Sequence, residues 1–189
     1  MRILLSVSMF ALAAACVSDP QTPFVNASVE TAPVKSSGDA ADDPAVWVNG
    51  GNPAESLILG TDKRSGLYAY DLAGEVVQFL PAGELNNVDL RQNVSIDGWT
   101  GDIAAASNRT NNSVTLFAIK DGVIDETGSF PSLLDEPYGL CMGAWENEVF
   151  AFVAHKTGDF IAYRVSGPDG GEEVARLKLE TQLEGCVFD

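Results

Sequence analysis

Histidine is almost absent from this sequence, which has one, His155, in 189 residues. Zinc chemistry is thereby excluded, because the only soft ligands left are the scattered Cys16, Cys141 and Cys186. A Ser-His-Asp triad also lacks support: His155 adjoins Lys156 at a strand end, where successive side chains diverge, and no G-x-S-x-G elbow occurs. Neither a P-loop nor a dinucleotide glycine fingerprint is present. Positive charge is scarce too. Lys and Arg number 11 against 27 Asp and Glu, and the resulting net charge of −16 repels nucleic acid and anionic membranes. Such acidity serves solubility, and it equally suits a hard divalent cation such as Ca²⁺, which selects carboxylate oxygens. With 46% hydrophobic and only 20% charged residues, the chain carries enough apolar material for a sizeable core.

Residues 1–15 read as an export signal: Met1-Arg2 supplies positive charge, an apolar run follows, and Ala13-Ala14-Ala15 are the small residues that a signal peptidase needs. Cys16 then occupies the place of a lipidated cysteine, so lipidation and ordinary cleavage are both open. The protein is expected to be exported: periplasmic, an outer-membrane lipoprotein, or secreted. Residues 16–38, with three prolines and Ser36-Ser37-Gly38, lack periodicity and read as a flexible tether. Cys141 and Cys186 are expected as two buried free thiols, although an oxidising compartment permits a bridge between them.

Helical periodicity is also lacking. From residue 39 the chain consists of short β-type runs between turn residues, predicted at 45–48, 56–59, 66–71 and 75–80 in a first set. A second set follows at 103–106, 113–119 and 123–127, and a third at 140–142, 149–154, 160–165 and 173–179. Landmarks recur in register. Lys63, Arg109 and Lys156 are 46 and 47 residues apart, and the turn glycines Gly74, Gly122 and Gly170 are each 48 apart. Asp43, Asp89, Tyr138 and Glu184 precede the first strands at separations of 46, 49 and 46. Four strands repeating at this period predict an all-β propeller of four-stranded blades over residues 39–189. About three blades are present, and since propellers close with roughly four to eight, an incomplete ring is expected. Trp47, Trp99 and Trp145 read as blade packing.

Equivalent positions of successive blades converge around a propeller's axis, so Lys63, Arg109 and Lys156 are expected at one mouth. Arg offers a planar fork for phosphate oxygens and Lys a point charge, a combination suited to a ligand with several phosphates. Pairing with local acids is the plainer explanation, but it does not require the register. Asp42-Asp43-Pro44 places two carboxylates before a rigid turn, which fits either a Ca²⁺ donor pair or simple turn capping.

These residues are also the ones by which the chain resembles the β-propeller phytases, alkaline and calcium-dependent enzymes. The similar segments are Asp42-Asp43-Pro44-Ala45-Val46-Trp47, Thr61-Asp62-Lys63-Arg64-Ser65-Gly66-Leu67, Leu85-Asn86-Asn87-Val88-Asp89-Leu90-Arg91, and Asp102-Ile103-Ala104-Ala105-Ala106-Ser107-Asn108-Arg109. Pro137-Tyr138-Gly139-Leu140 and Leu183-Glu184-Gly185 complete the set. The resemblance implies a six-bladed, monomeric 3-phytase-type phosphoric monoester hydrolase that releases phosphate from inositol hexakisphosphate with Ca²⁺ as cofactor. By the same resemblance Lys63, Arg109 and Lys156 would hold phosphate at the cleavage site and Arg64 an adjacent phosphate. Tyr138 and Glu184 would belong to a calcium and water cluster and Asp43 to an acidic calcium position, with Asp89 a weaker candidate. The alternatives are a non-catalytic surface propeller that binds phosphorylated or calcium-bridged ligands, and a purely structural surface lipoprotein.

Overall fold

The computed structural model describes residues 25–187. The export signal of 1–15 and the candidate lipidation site Cys16 lie outside the described residues, as does the first part of the 16–38 segment. Among the described residues no helix is long and apolar enough to cross a membrane.

Alternation of apolar and polar residues, broken by tight turns, produces twelve strands among the described residues, in three four-stranded antiparallel sheets, each a meander in chain order. The first holds β1 (Ala41–Trp47), β2 (Leu57–Asp62), β3 (Gly66–Tyr70) and β4 (Val76–Leu80). The second holds β5 (Leu85–Ile96), β6 (Trp99–Asn108), β7 (Ser113–Lys120) and β8 (Val123–Pro131). β9 (Pro137–Trp145), β10 (Glu148–His155), β11 (Asp159–Val165) and β12 (Gly171–Lys178) form the third. This is the construction of propeller blades, as the repeat predicts.

Two apolar layers join the sheets. Leu57, Leu59, Leu67 and Ala69 of the first sheet pack on Leu90, Ala104, Ala106, Phe117 and Ile119 of the second. Ile103, Ala105, Val114 and Leu116 point the other way, onto Leu140, Met142, Val149, Ala151, Val153 and Ile161 of the third. The middle sheet is thus buried on both faces. That is why 103–106 reads as an unbroken apolar run, and why small Ala104, Ala105 and Ala106 stand, fully buried, where neighbouring sheets approach. A larger side chain there overpacks the seam at a cost of about 1–3 kcal/mol.

β5 is a strand that the sequence pattern does not predict. Its text is crowded with Asn86, Asn87, Asp89, Arg91, Gln92 and Asn93, yet Leu85, Val88, Leu90, Val94 and Ile96 are buried. Register shifts on both sides of 88–91 break the two-residue period that would have revealed it.

The structure corrects two smaller expectations. Cys141 and Cys186 are joined in a disulfide with a Cα–Cα distance of 5.3 Å, so they are not free thiols. The bridge follows from the path of the chain after β12, which runs back against β9: a Cβ on Gly139 would lie 2.8 Å from the Glu184 carbonyl oxygen. Trp145 is 69% exposed at the β9–β10 turn and packs no blade, whereas Trp47 is buried. Gly170 lies in the β11–β12 turn as expected, its carbonyl accepting from Ser166 N–H at 2.9 Å, while the left-handed backbone of that turn is at Gly167. Residues 30–38 form no regular element, but they are fastened to the first sheet. Ala32 N–H donates to the Gly74 carbonyl at 2.8 Å and Lys35 N–H to the Tyr68 hydroxyl at 3.1 Å.

A cationic cleft where three sheets meet

Each of β2, β6 and β10 ends at the same rim, and the residue that follows its last core position is a cation. Lys63, Arg64, Arg109 and Lys156 line one cleft of about 530 Å³, together with Tyr138 near the start of β9. Asp39, Glu84, Asn112 and Glu136 complete its wall. The three carboxylates were not found in the sequence because they stand on linkers of unequal length, 45 and 52 residues apart, outside the regular register.

The cations differ in how they are held. Lys63 Nζ lies 2.9 Å from an Asp39 oxygen and 3.4 Å from an Asp42 oxygen. The hydrogen bond to Asp39 raises the Lys63 pKa above its usual value and holds the Asp39 carboxyl below its own. Local pairing therefore accounts for Lys63. It does not account for the others, since Arg64, Arg109 and Lys156 form no salt bridge among the described residues. Lys156 Nζ sits 4.3 Å from the centre of the Tyr138 ring, a cation–π contact that leaves its protons available. Arg109 keeps a buried Nε without a hydrogen-bond partner among the described residues. A polyanion entering the cleft thus meets cations whose charge is only partly answered.

A repeated hydroxyl relay fixes the geometry between blades. Thr61 Oγ1 accepts from Asp43 N–H at 3.0 Å and donates to the Asn86 carbonyl, in the next blade, at 2.5 Å. One blade on, Ser107 Oγ accepts from Asn87 N–H at 3.1 Å and donates to the Tyr138 carbonyl at 2.5 Å. The second relay pins Tyr138 at the wall of the cleft.

The acidic candidates are not gathered there. Asp43 and Asp89 line a separate cleft of about 270 Å³ beside the disulfide. Asp43 Oδ2 accepts from Val88 N–H at 3.0 Å, and burial raises its carboxyl against that hydrogen bond and one from Asn87. Asp89 is occupied by Arg91 at 3.0 Å and by Met142 N–H at 2.7 Å. Glu184 is exposed and accepts from Gln182 Nε2 at 2.7 Å. Among the described residues no group of three or more His, Cys, Asp or Glu side chains could hold a metal ion. Calcium does not fit these residues as a closed, protein-only cage.

Fold and site together define a β-propeller-type protein with a cationic cleft at the rim of three successive blades. The chain belongs to the phytase family, whose sequence pattern it matches over residues 1–189. It is 38% identical, over 202 aligned residues, to the 3-phytase of Bacillus subtilis (strain 168), an alignment covering 99% of this chain and 53% of that protein. The chain therefore spans about half the length of the curated relative it matches.

Proposed function

We propose that the protein hydrolyses phosphate monoesters of inositol hexakisphosphate, releasing inorganic phosphate. The observation that carries this reading is the convergence of Lys63, Arg64, Arg109 and Lys156 on one cleft in a chain of net charge −16. Family membership supports the same reaction class. A phosphate monoester resists attack because its oxygens are negative, so positioning and charge neutralisation supply most of the acceleration. Arg109 and Lys156 are the cations best placed to take the reacting phosphate, because they are half-buried in the cleft and no carboxylate among the described residues forms a salt bridge with them. Lys63 joins once phosphate competes with Asp39 for its ammonium group, and exposed Arg64 receives a neighbouring phosphate. Tyr138, held by Ser107, closes the wall and keeps the Lys156 ammonium over its ring.

Calcium belongs to this proposal as the family resemblance has it, with substrate oxygens and further ligands completing its shell. Export to the periplasm, the outer membrane or the medium, by way of the 1–15 signal, is proposed as well. The test is phosphate release from inositol hexakisphosphate by the full-length protein, with added Ca²⁺ and with chelator. Release that chelation abolishes supports the reading. Binding without release under either condition favours the non-catalytic binding module, and absence of both refutes a phosphate function.

A further inference from the structure

The residue immediately before Lys63, Arg109 and Lys156 is in each case polar and fully or almost fully buried: Asp62, Asn108 and His155 are 0%, 4% and 0% exposed. Burying a polar side chain at three equivalent places is costly unless each makes specific hydrogen bonds. Each does, and the partners of each include the linker that leads into its own blade. Asp62 accepts from Arg64 N–H at 3.0 Å and from Ser65 Oγ at 2.7 Å within its own turn and faces Ser36 of the linker, which then carries Asp39 into the cleft. Asn108 Nδ2 donates to the Ala82 carbonyl at 2.8 Å, and that linker carries Glu84. His155 Nδ1 lies 3.1 Å from the Asp135 carbonyl, and that linker carries Glu136 and then Tyr138. A carbonyl oxygen can only accept, so the His155 ring carries its proton on Nδ1. Its Nε2 is buried without a partner among the described residues.

We propose that Asp62, Asn108 and His155 form a buried collar of positioning residues, each fastening a cation-bearing turn to the linker that supplies the acidic or aromatic wall opposite it. The proposal rests on the phosphate reading of the cleft. In the third blade, the protein's one histidine acts through its Nδ1–H bond to Asp135 and touches no substrate. It holds Glu136 and Tyr138 at a set distance from Lys156. Asparagine performs the same task at position 108, so the amide should serve at 155 as well.

The test uses the full-length protein with His155→Asn and His155→Leu, followed by amide hydrogen exchange and by kinetics on inositol hexakisphosphate. With the single hydrogen bond lost, exchange over residues 132–138 should accelerate about tenfold in His155→Leu and stay near the parent rate in His155→Asn. KM should rise about tenfold in His155→Leu, with kcat changed less and with substantial rescue in His155→Asn. Unchanged exchange in His155→Leu overturns the collar whatever the kinetics. An equal loss in both variants overturns it too, since the bond to Asp135 would then not be the cause. The exchange readout needs no phosphate ligand: if the parent neither binds nor cleaves phosphate, the phosphate reading fails, and the collar is still decided by exchange.

Discussion

Replacing Thr61 by Val tests the seam between the first two blades with almost no change in shape. Thr61 is 1% exposed, and its hydroxyl serves two partners, Asp43 N–H at 3.0 Å and the Asn86 carbonyl at 2.5 Å. Valine leaves both backbone groups unpaired. The Asn86 carbonyl lies at a buried residue and the Asp43 amide at a half-buried one, and an orphaned buried group costs about 1–3 kcal/mol. With the Asp43 site able to recruit water, the expected loss is about 2–4 kcal/mol. For a domain of this size that lowers Tm by roughly 5–15 °C. Urea unfolding followed by circular dichroism measures it, with an unchanged slope showing that the native state keeps its compactness. Ser107→Ala should cost a similar amount at the next seam, and the two losses should not simply add, since the Asn86 carbonyl and the Asn87 N–H that the two hydroxyls hold belong to one peptide group. A loss below about 0.5 kcal/mol for Thr61→Val, within the range of ordinary surface changes, would refute the idea that these hydroxyls lock blade to blade.

The third seam should depend on the disulfide, because Ala154 stands where Thr61 and Ser107 stand and offers no hydroxyl. Cys141 and Cys186 are 45 residues apart, so by loop entropy the double serine variant should lose about 4 kcal/mol; denaturation at the parent's midpoint would contradict this. Arg109→Met and Lys156→Met should each lower kcat/KM roughly 10- to 100-fold, the worth of a charge-assisted hydrogen bond to phosphate. Substrate kinetics at fixed ionic strength check this, and a change below about twofold in both would count against the cleft. Stability should fall in mild acid. Burial lowers the His155 pKa below 6.5, and Arg176 on β12 adds to the lowering, while the Asp135 carbonyl and Asp159 on β11 oppose it. The unfolded chain therefore takes up a proton that the folded chain resists, so this contribution is complete above about pH 6.5 and is lost as pH falls further. Unfolding free energies measured between about pH 7.5 and 5 should show the slope in the parent and a shallower one in His155→Asn; equal slopes would remove His155 as its source.

The repeat was legible because blades reuse the same turns. Lys63, Arg109 and Lys156 keep a nearly constant spacing, so their convergence could be reasoned before any coordinate was known. β5 was not legible, since its bulges and its asparagines hide the alternation, and its strand character comes from antiparallel pairing with β6. Nor were Asp39, Glu84 and Glu136, whose linkers have unequal lengths, so that only the folded path brings them to the same rim.

The amino-acid sequence by itself determined the blade architecture and the cationic ring, because period and charge register are properties of the chain that survive divergence between repeats. Only the tertiary structure decided which cation is neutralised, how Tyr138 is held, that Cys141 meets Cys186, and that Asp43 and Asp89 lie apart from the cationic cleft. Those outcomes depend on contacts between residues far apart in the chain, where a few ångströms separate an ion pair from a vacant charge, and no local pattern encodes that distance.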